Sequence, residues 1–278
     1  MKGRFDQVAF YTARKVTQVY STSFSLGIKM FNRKYRAPIY AIYGFVRYAD
    51  EIVDTFHACD KKLLLQKFRE DTYLALDQKI SMNPLLHAFQ QTVNGYGISR
   101  ELIDSFLHSM EMDLDLKEYD RSGFEEYVLG SAEVVGLMCL KVFLDGNEEE
   151  YNYLTPYAMR LGSAYQKINF LRDMKADFEK LGRSYFPGVD LTNLDDAQKR
   201  RIEAEIEEDF RMGEKGIRRL PKPVRLGVYL SFVYYYALFN KIRKLPLEVI
   251  LKERVRIHNG RKYLLMSRAF LQFKFGMV

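Results

Sequence analysis

Two pairs of aspartates repeat one spacing within stretches whose remaining residues are largely apolar. Asp50 and Asp54 lie four residues apart, and so do Asp173 and Asp177. On an α-helix, a separation of four residues places both side chains on one face. Carboxylates held together in an apolar pocket either protonate or bind cations, and a site made of oxygen ligands suits Mg²⁺. The spacing favours a helical cavity that binds a phosphorylated ligand through Mg²⁺. The alternative for each pair is a solvated helix face.

Further polar residues share the faces of the two aspartate pairs. Gln166 and Asn169 precede the second pair on its helix face, and Tyr43 and Arg47 precede the first. A single pair of this kind is most often a solvated face. Two such pairs, each with polar neighbours on an otherwise apolar helix, favour a site over that alternative.

The elements that must position these residues are helices. Apolar residues recurring at threes and fours predict a helix over 39–56, with Pro38 in its first position. A second helix is predicted to begin at Pro156, with Thr155 as its cap, and to run to Leu181. Shorter helices are predicted over 61–76, 101–114, 124–144, 195–212, 224–243 and 260–275. No alternating strand, repeat or Pro/Gly/Ser-rich linker interrupts the pattern, so the sequence predicts one all-α domain over residues 1–278.

The composition excludes several classes of protein. The 278 residues are 47% hydrophobic and 28% charged, which excludes a disordered or collagen-like chain. Cys59 and Cys139 are too few for a disulfide framework or a zinc knuckle, and they suit a reducing compartment. No targeting signal is apparent, and the longest uncharged run, 226–240, is too short to span a membrane. These features predict a cytoplasmic protein.

The basic stretch from Lys215 to Arg225 accompanies no groove-reading motif, so nucleic acid is not an expected partner. Contact with an anionic membrane surface is favoured over nucleic acid, but a solvated loop is the default interpretation of this stretch. The four histidines show no ligand spacing. Two interpretations remain for the acidic group of Glu111, Asp113, Asp115 and Asp120. It is either a solvated helix end or a group that supports the pocket.

Taken together, five segments resemble the squalene and phytoene synthase family. Residues 43–54 and 166–178 are similar to its two aspartate-rich motifs, and 182–187 to its GR-x-Y-x-P segment. Residues 21–24 resemble its hydroxyl-and-phenylalanine loop. The fifth segment consists of Tyr127 and residues 131–136. It is similar to the family's tyrosine followed by the sequence VAGTVG, although Glu133 stands where the family has glycine.

The resemblance implies a single-domain isoprenoid synthase fold, a helical bundle around a central cavity. It implies metal binding by four residues: Asp50, Asp54, Asp173 and Asp177. Those aspartates, together with Tyr127 and Tyr235, are the implied catalytic residues. The implied substrate-binding residues are Ser21, Ser23, Phe24, Tyr43, Arg47, Gln166, Asn169, Arg172 and Arg183. Which of Tyr234, Tyr235 and Tyr236 faces the cavity is left open, as is simple core packing of these tyrosines.

The activity implied by the resemblance is head-to-head condensation of two geranylgeranyl diphosphates to phytoene, through a cyclopropyl diphosphate. Mg²⁺, or Mn²⁺ as the alternative ion, would assist release of diphosphate. NADPH is not expected, because no GxGxxG or strand is found, and the absence of a C-terminal membrane helix favours phytoene synthases over anchored squalene synthases. The alternatives are a dehydrosqualene or squalene synthase that uses farnesyl diphosphate, or a non-catalytic assembly factor. Peripheral membrane contact and a downstream desaturase are the other expected partners.

Overall fold

The computed structural model describes residues 2–115, 119–176, 185–187, 195–252 and 254–275. Within these ranges every regular element is a helix, which confirms the all-α prediction. In chain order they are α1 (Lys2–Tyr20), α2 (Thr22–Lys29), α3 (Arg33–Thr55), α4 (Lys61–Gln78), α5 (Pro84–Tyr96), α6 (Arg100–Asp115), α7 (Arg121–Val128), a π-helical turn (Leu129–Glu133), α8 (Val134–Leu144), α9 (Glu148–Ala176), α10 (Asp196–Arg219), α11 (Lys222–Arg243), α12 (Leu247–Ile250) and α13 (Asn259–Lys274).

The N-terminal half packs around α3. Helices α1, α5 and α8 contact it, and Phe45 lies at the centre of this core. The Phe45 ring stacks on Phe89 with 3.8 Å between centroids, and it also contacts Phe68 and Phe106. Full burial of such large rings contributes roughly 1.5–3 kcal/mol each. This packing fixes the last turns of α3, which carry Asp50 and Asp54.

The C-terminal half packs around α9 and α11. Helix α9 lies against α8, the π-helical turn and α10, and α11 contacts α2, α10 and α13. Phe210 of α10 and Phe239 of α11 are fully buried between these helices. The end of α9 that carries Asp173 is therefore fixed by a core distinct from the one that holds α3.

Close helix approaches surround the π-helical turn. A Cβ atom on Gly130 would lie 2.5 Å from the backbone oxygen of Ser105 in α6. A Cβ atom on Gly162 of α9 would lie 2.9 Å from the backbone oxygen of Ala132. Glycine at both positions lets α6 and α9 approach the turn from two sides.

Both helices expected to begin at a proline begin earlier. Helix α3 starts at Arg33, where the Asn32 side chain accepts a hydrogen bond from the Lys34 amide, and Pro38 lies inside it. Helix α9 starts at Glu148, and Pro156 lies inside it. Three glutamates in the first turn of α9 favour that start, because they interact with the positive end of the helix dipole.

One continuous helical stretch among the described residues, Arg121–Leu144, is long and apolar enough to cross a membrane. Its most apolar window is 61% buried inside the protein. Burial of this kind is also found in the core helices of globular proteins.

Candidate active site

Two aspartates near the end of α3 and one from α6 lie close enough for their charges to interact, and we call Asp50, Asp54 and Asp113 the first acidic cluster. Burial, with the nearby charges of Asp54 and Asp113, raises the pKa of Asp50 to about 7. Arg47 opposes this shift but does not cancel it. The charged form of Asp50 is therefore disfavoured, first by burial and then by the neighbouring carboxylates.

Arg47 lies one turn before Asp50 on α3. Its Nη2 donates to the Glu51 carboxylate, and its guanidinium lies 4.6 Å from the ring centroid of Tyr20. The Nε of Arg47 is buried and has no hydrogen-bond partner among the described residues. A buried donor without a partner is costly, so this nitrogen is suited to an anionic ligand.

Asp113 of α6 accepts hydrogen bonds from two tyrosines. The Tyr127 hydroxyl donates to Oδ2 at 2.8 Å, and the Tyr185 hydroxyl lies 3.4 Å from Oδ1. Asp113 is only 6% exposed. Burial, and secondarily the Asp113 charge, raises the pKa of Tyr127 well above its usual value, so this hydroxyl keeps its proton.

The sequence left the role of Asp113 open, and it did not select Tyr185 as a site residue. A signal for Tyr185 was present, because it belongs to the segment that resembles GR-x-Y-x-P.

Aromatic rings surround this aspartate–tyrosine group. Phe170 of α9 stacks on Tyr185 with 4.1 Å between centroids, and Tyr127 and Tyr185 are 5.3 Å apart. Tyr119 and Phe124 pack against these rings as well. Because the rings pack against one another, they exclude water from the hydrogen bond between Tyr127 and Asp113.

The second acidic motif is in a different electrostatic state. Asp173, near the end of α9, accepts hydrogen bonds from Arg172 at 2.5–3.1 Å. Arg254, from the segment between α12 and α13, also contacts it, with Nε 2.6 Å from Oδ1 and Nη2 3.1 Å from Oδ2. Two guanidiniums thus neutralise this carboxylate. Asp177 and Arg183 lie outside the described residues.

Two tyrosines connect the aspartate-bearing ends of α3 and α9. Burial raises the pKa of Tyr43 to about 12, and Tyr43 is close enough to Asp50 and Tyr235 to sense both charges. The Tyr235 hydroxyl lies 3.5 Å from Oδ1 of Asn169 and within electrostatic reach of Asp173. Asn169 in turn donates to the side-chain oxygen of Gln166 at 3.4 Å. These polar side chains thus lie in a row between the two aspartate-rich motifs.

The tyrosines flanking Tyr235 face other surroundings. Tyr235 stacks on Tyr165 of α9, with 4.1 Å between centroids. The hydroxyl of Tyr236 instead donates to Glu207 of α10, and Tyr234 lies under Lys262 of α13. Of the three, Tyr235 is the one hydrogen-bonded to a predicted substrate-binding residue.

A mostly apolar cleft opens beside these polar side chains. Ser23 and Phe24 of α2 line it together with Tyr234 and Tyr235. Ser21 caps α2 by accepting a hydrogen bond from the Phe24 amide at 3.2 Å, and it also hydrogen-bonds Tyr43. The structure therefore brings residues 21–24 next to Tyr43 and Tyr235.

Glu133, which departs from the family pattern, faces α9 and α10. Its carboxylate accepts a hydrogen bond from Ser163, and Arg160 and Lys167 lie near it. Burial, with Asp209 nearby, raises the pKa of Glu133. The substitution is accommodated by this ionic group on α9 and α10.

The donors of the first acidic cluster fit a hard divalent cation. All three are carboxylates, and burial beside the other two raises the pKa of Asp50 in a way that a bound cation would relieve. Among the described residues, no three His, Cys, Asp or Glu side chains are already arranged to enclose a metal ion. Ligands from substrate and water would have to complete such a site, which is typical of Mg²⁺.

Comparison with solved structures identifies the class of fold. A crystal structure of a dehydrosqualene synthase in complex with ligand superposes with a TM-score of 0.83 at 21% identity, covering 97% of this chain and 98% of that one. The chain therefore has the single-domain all-α isoprenoid synthase fold, as predicted.

The sequence comparisons agree with the fold. The squalene/phytoene synthase family model matches residues 17–261. A presqualene diphosphate synthase of Rhodopseudomonas palustris is 26% identical over 241 residues, which cover 79% of this chain and 82% of that protein. A phytoene synthase of Arthrospira platensis is 23% identical over 291 residues, which cover 95% and 93%.

This chain belongs to the squalene/phytoene synthase family, and the resemblance found in the sequence is confirmed. Members of the family are prenyltransferases that join prenyl diphosphates head to head and use a divalent metal.

Proposed function

We propose that this prenyltransferase condenses two molecules of geranylgeranyl diphosphate to phytoene through a cyclopropyl diphosphate. The observation that carries the proposal is the first acidic cluster, where carboxylates lie near the unpartnered Nε of Arg47. Carboxylates beside a buried guanidinium donor without a hydrogen-bond partner suit a metal–diphosphate complex.

The first part of the reaction is ionisation of one substrate. The bond between C1 and the diphosphate oxygen breaks, and the electron pair leaves with the diphosphate. Asp50 and Asp54 would hold Mg²⁺ at one end of the site, and Asp173 and Asp177 at the other. Bound Mg²⁺ neutralises charge on the diphosphate and so makes it a better leaving group. Arg47 and Arg172 add fixed positive charge to receive it.

The second part is carbon–carbon bond formation. The double bond of the second substrate attacks the allylic cation, and loss of a proton closes the cyclopropane ring. Phe24, Tyr43 and Tyr235 would shield the cation beside the cleft. Asp113 holds the Tyr127 and Tyr185 hydroxyls in fixed positions, where they can orient a polar group of the intermediate. A second ionisation releases the remaining diphosphate, and rearrangement followed by loss of a second proton then gives the hydrocarbon.

A second candidate is a synthase that uses farnesyl diphosphate and forms presqualene diphosphate or dehydrosqualene. The similarity to the presqualene diphosphate synthase of R. palustris favours it. Its identity to this chain, 26%, is close to the 23% of the phytoene synthase of A. platensis. The two candidates differ in the length of prenyl chain that the cleft accepts.

We also propose that the enzyme is cytoplasmic, contacts a membrane peripherally and passes its product to a desaturase.

Product analysis tests which substrate the enzyme uses and which product it forms. The purified protein is incubated with farnesyl or geranylgeranyl diphosphate, with Mg²⁺, and with or without NADPH. The products, hydrocarbons and diphosphates alike, are then identified by mass spectrometry.

Phytoene from geranylgeranyl diphosphate without NADPH is the expected product. Presqualene diphosphate or a C30 hydrocarbon from farnesyl diphosphate alone would replace the first candidate by the second.

The variant Asp54→Asn tests the proposed metal site. Asp77→Asn is the matched control, because Asp77 is exposed and pairs with Arg100 far from the cleft. Near-parental turnover of the Asp54→Asn variant would contradict the proposed metal site.

A further inference from the structure

Three neighbouring helices, α2, α11 and α13, carry no acidic residue. Helix α11 contacts both of the others, so the three form one surface, which we call the basic surface. Together they contain nine Lys and Arg and no Asp or Glu, whereas the whole chain has a formal net charge of only +7. These nine are Lys29, Lys222, Arg225, Lys241, Arg243, Arg261, Lys262, Arg268 and Lys274. Arg243 pairs with Glu207 of α10, and the other eight give these three helices a net positive charge.

The outward face of α13 combines this charge with exposed apolar side chains. Leu264 and Phe275, the residue after the helix, are 70% and 74% exposed, and Phe270 and Leu271 are about half exposed. Ala269 on the opposite face is fully buried against the protein. The basic residues on the outward face, Arg261, Arg268 and Lys274, are exposed as well.

Exposed large apolar side chains interspersed with cations are typical of helices that lie in a membrane interface. The apolar residues enter the boundary between headgroups and acyl chains, while the cations bind anionic headgroups. A protein partner would need a face both apolar and acidic. The absence of any carboxylate on three helices matches a surface of uniform negative charge more simply.

An apolar groove on this surface lies next to the candidate active site. It is lined by Met30 of α2, Leu230 of α11 and residues of α13 that include Phe270 and Leu271. Leu230 and Met266 line this groove and also the cleft that Ser23, Phe24 and Tyr235 line. These two side chains are all that the groove and the cleft share, so the two lie on either side of them.

We infer that the basic surface docks on an anionic lipid bilayer, with the outward face of α13 inserted at the level of the headgroups. In this orientation the groove opens toward the acyl chains, so that a prenyl chain or a hydrocarbon product that passes Leu230 and Met266 can move between bilayer and cleft without crossing water. Only this transfer route depends on the proposed function. The docking itself depends on the charge and exposure of the described residues.

Co-sedimentation of the full-length protein with vesicles tests the docking without any substrate. Phosphatidylcholine vesicles are compared with phosphatidylcholine–phosphatidylglycerol vesicles, at low and at high salt. We expect binding to the anionic vesicles that weakens with salt. The variant Arg261→Gln/Arg268→Gln should bind at least about tenfold more weakly, because each cation near an anionic surface contributes to the affinity.

The apolar contribution is tested with Leu264→Ser/Phe275→Ser, for which we also expect at least about tenfold weaker binding. Met82→Ser is the matched control, because Met82 is 85% exposed on the loop before α5. Thermal unfolding followed by circular dichroism verifies that each variant is folded.

Equal binding to neutral vesicles, or undiminished binding of the folded Leu264→Ser/Phe275→Ser variant, would overturn the inference. So would a parent protein that ignores anionic vesicles. A dimer in sedimentation equilibrium that the same variant converts to monomer would instead assign α13 to an interface between two copies. None of these results depends on turnover, so failure of the docking and failure of the proposed reaction are distinguishable.

Discussion

At the end of α3, Asp50 lies among other carboxylates and has its pKa raised to about 7, whereas at the end of α9, Asp173 lies between two guanidiniums. Each aspartate lies near the end of a long helix, and each is followed in the sequence by a second aspartate four residues later. The difference comes from what packs against each helix end. Helix α6 brings a third carboxylate to α3, and the segment after α12 brings Arg254 to α9.

The comparison shows that one spacing can serve two electrostatic functions. Asp50 in the first acidic cluster is buried beside other carboxylates, so a bound cation would favour its charged form. Asp173 already has positive partners, so a cation there must compete with Arg254 or displace it. A displaced guanidinium would remain near the site as a donor for diphosphate oxygens.

The largest expected effect is on turnover. Asp50→Asn and Asp173→Asn should each lower kcat/KM by about a hundredfold or more, because each removes a predicted metal ligand. Steady-state assays measure kcat/KM with the substrate that product analysis identifies. Asp77→Asn is again the control. Should Asp173→Asn retain activity while Asp50→Asn loses it, the α9 carboxylate would serve to hold Arg254 rather than a metal.

The next largest expected effect is on the free energy of unfolding of the metal-free protein. Replacing the aspartate by asparagine should raise this free energy at the end of α3 and lower it at the end of α9. Asp50 has a folded-state pKa of about 7 and an ordinary value of 3.8. Between these pH values the unfolded chain releases a proton that the folded protein retains, so stability falls as the pH rises from about 4 to 7 and is then constant. Asp50→Asn removes that cost.

Asp50→Asn should therefore raise the free energy of unfolding by about 2–4 kcal/mol at about pH 8 and leave it nearly unchanged at about pH 4. Asp173→Asn should lower it by about 1–2 kcal/mol at about pH 8, because two guanidiniums lose their partner. Urea unfolding in the presence of a chelator measures both. Destabilisation by Asp50→Asn at the higher pH would contradict the described burial of Asp50 beside other carboxylates.

The smallest effect is on metal affinity at the α9 end. Arg254→Gln should tighten Mg²⁺ binding to the substrate-free protein by about threefold to tenfold, because a competing charge is removed. Isothermal titration calorimetry measures it, with Arg256→Gln as the matched control, since Arg256 is exposed on the same segment. An unchanged affinity would mean that Arg254 and the metal do not compete.

Helical periodicity was sufficient to predict the all-α class and the helices that carry the two motifs. It misplaced the starts of α3 and α9, because Pro38 and Pro156 look like first-turn residues. In the structure, capping by Asn32 and three glutamates favours earlier starts. The position of a proline alone does not reveal such competing signals.

The electrostatic states of the two motifs could not be predicted from spacing. Arg254 lies 81 residues after Asp173, and an exposed arginine in an irregular segment has no periodicity that indicates its partner. Asp113 belonged to an acidic group that also fits a solvated helix end. Only the packing of α6 against the π-helical turn and α7 brings it to Tyr127.

The π-helical turn between α7 and α8 contains one residue more than an α-helix would need over the same length. Deleting a single residue there would leave a regular helix of the same length, whereas adding a residue to a regular helix without such a wide turn would rotate α7 relative to α8 by about 100°. The wide turn therefore holds the extra residue while the Tyr127 hydroxyl still reaches Asp113 and α8 keeps its place in the core. A one-residue deletion in Leu129–Glu133 should preserve this contact, whereas a further one-residue insertion should turn Tyr127 away from Asp113 and give a folded but catalytically poor protein.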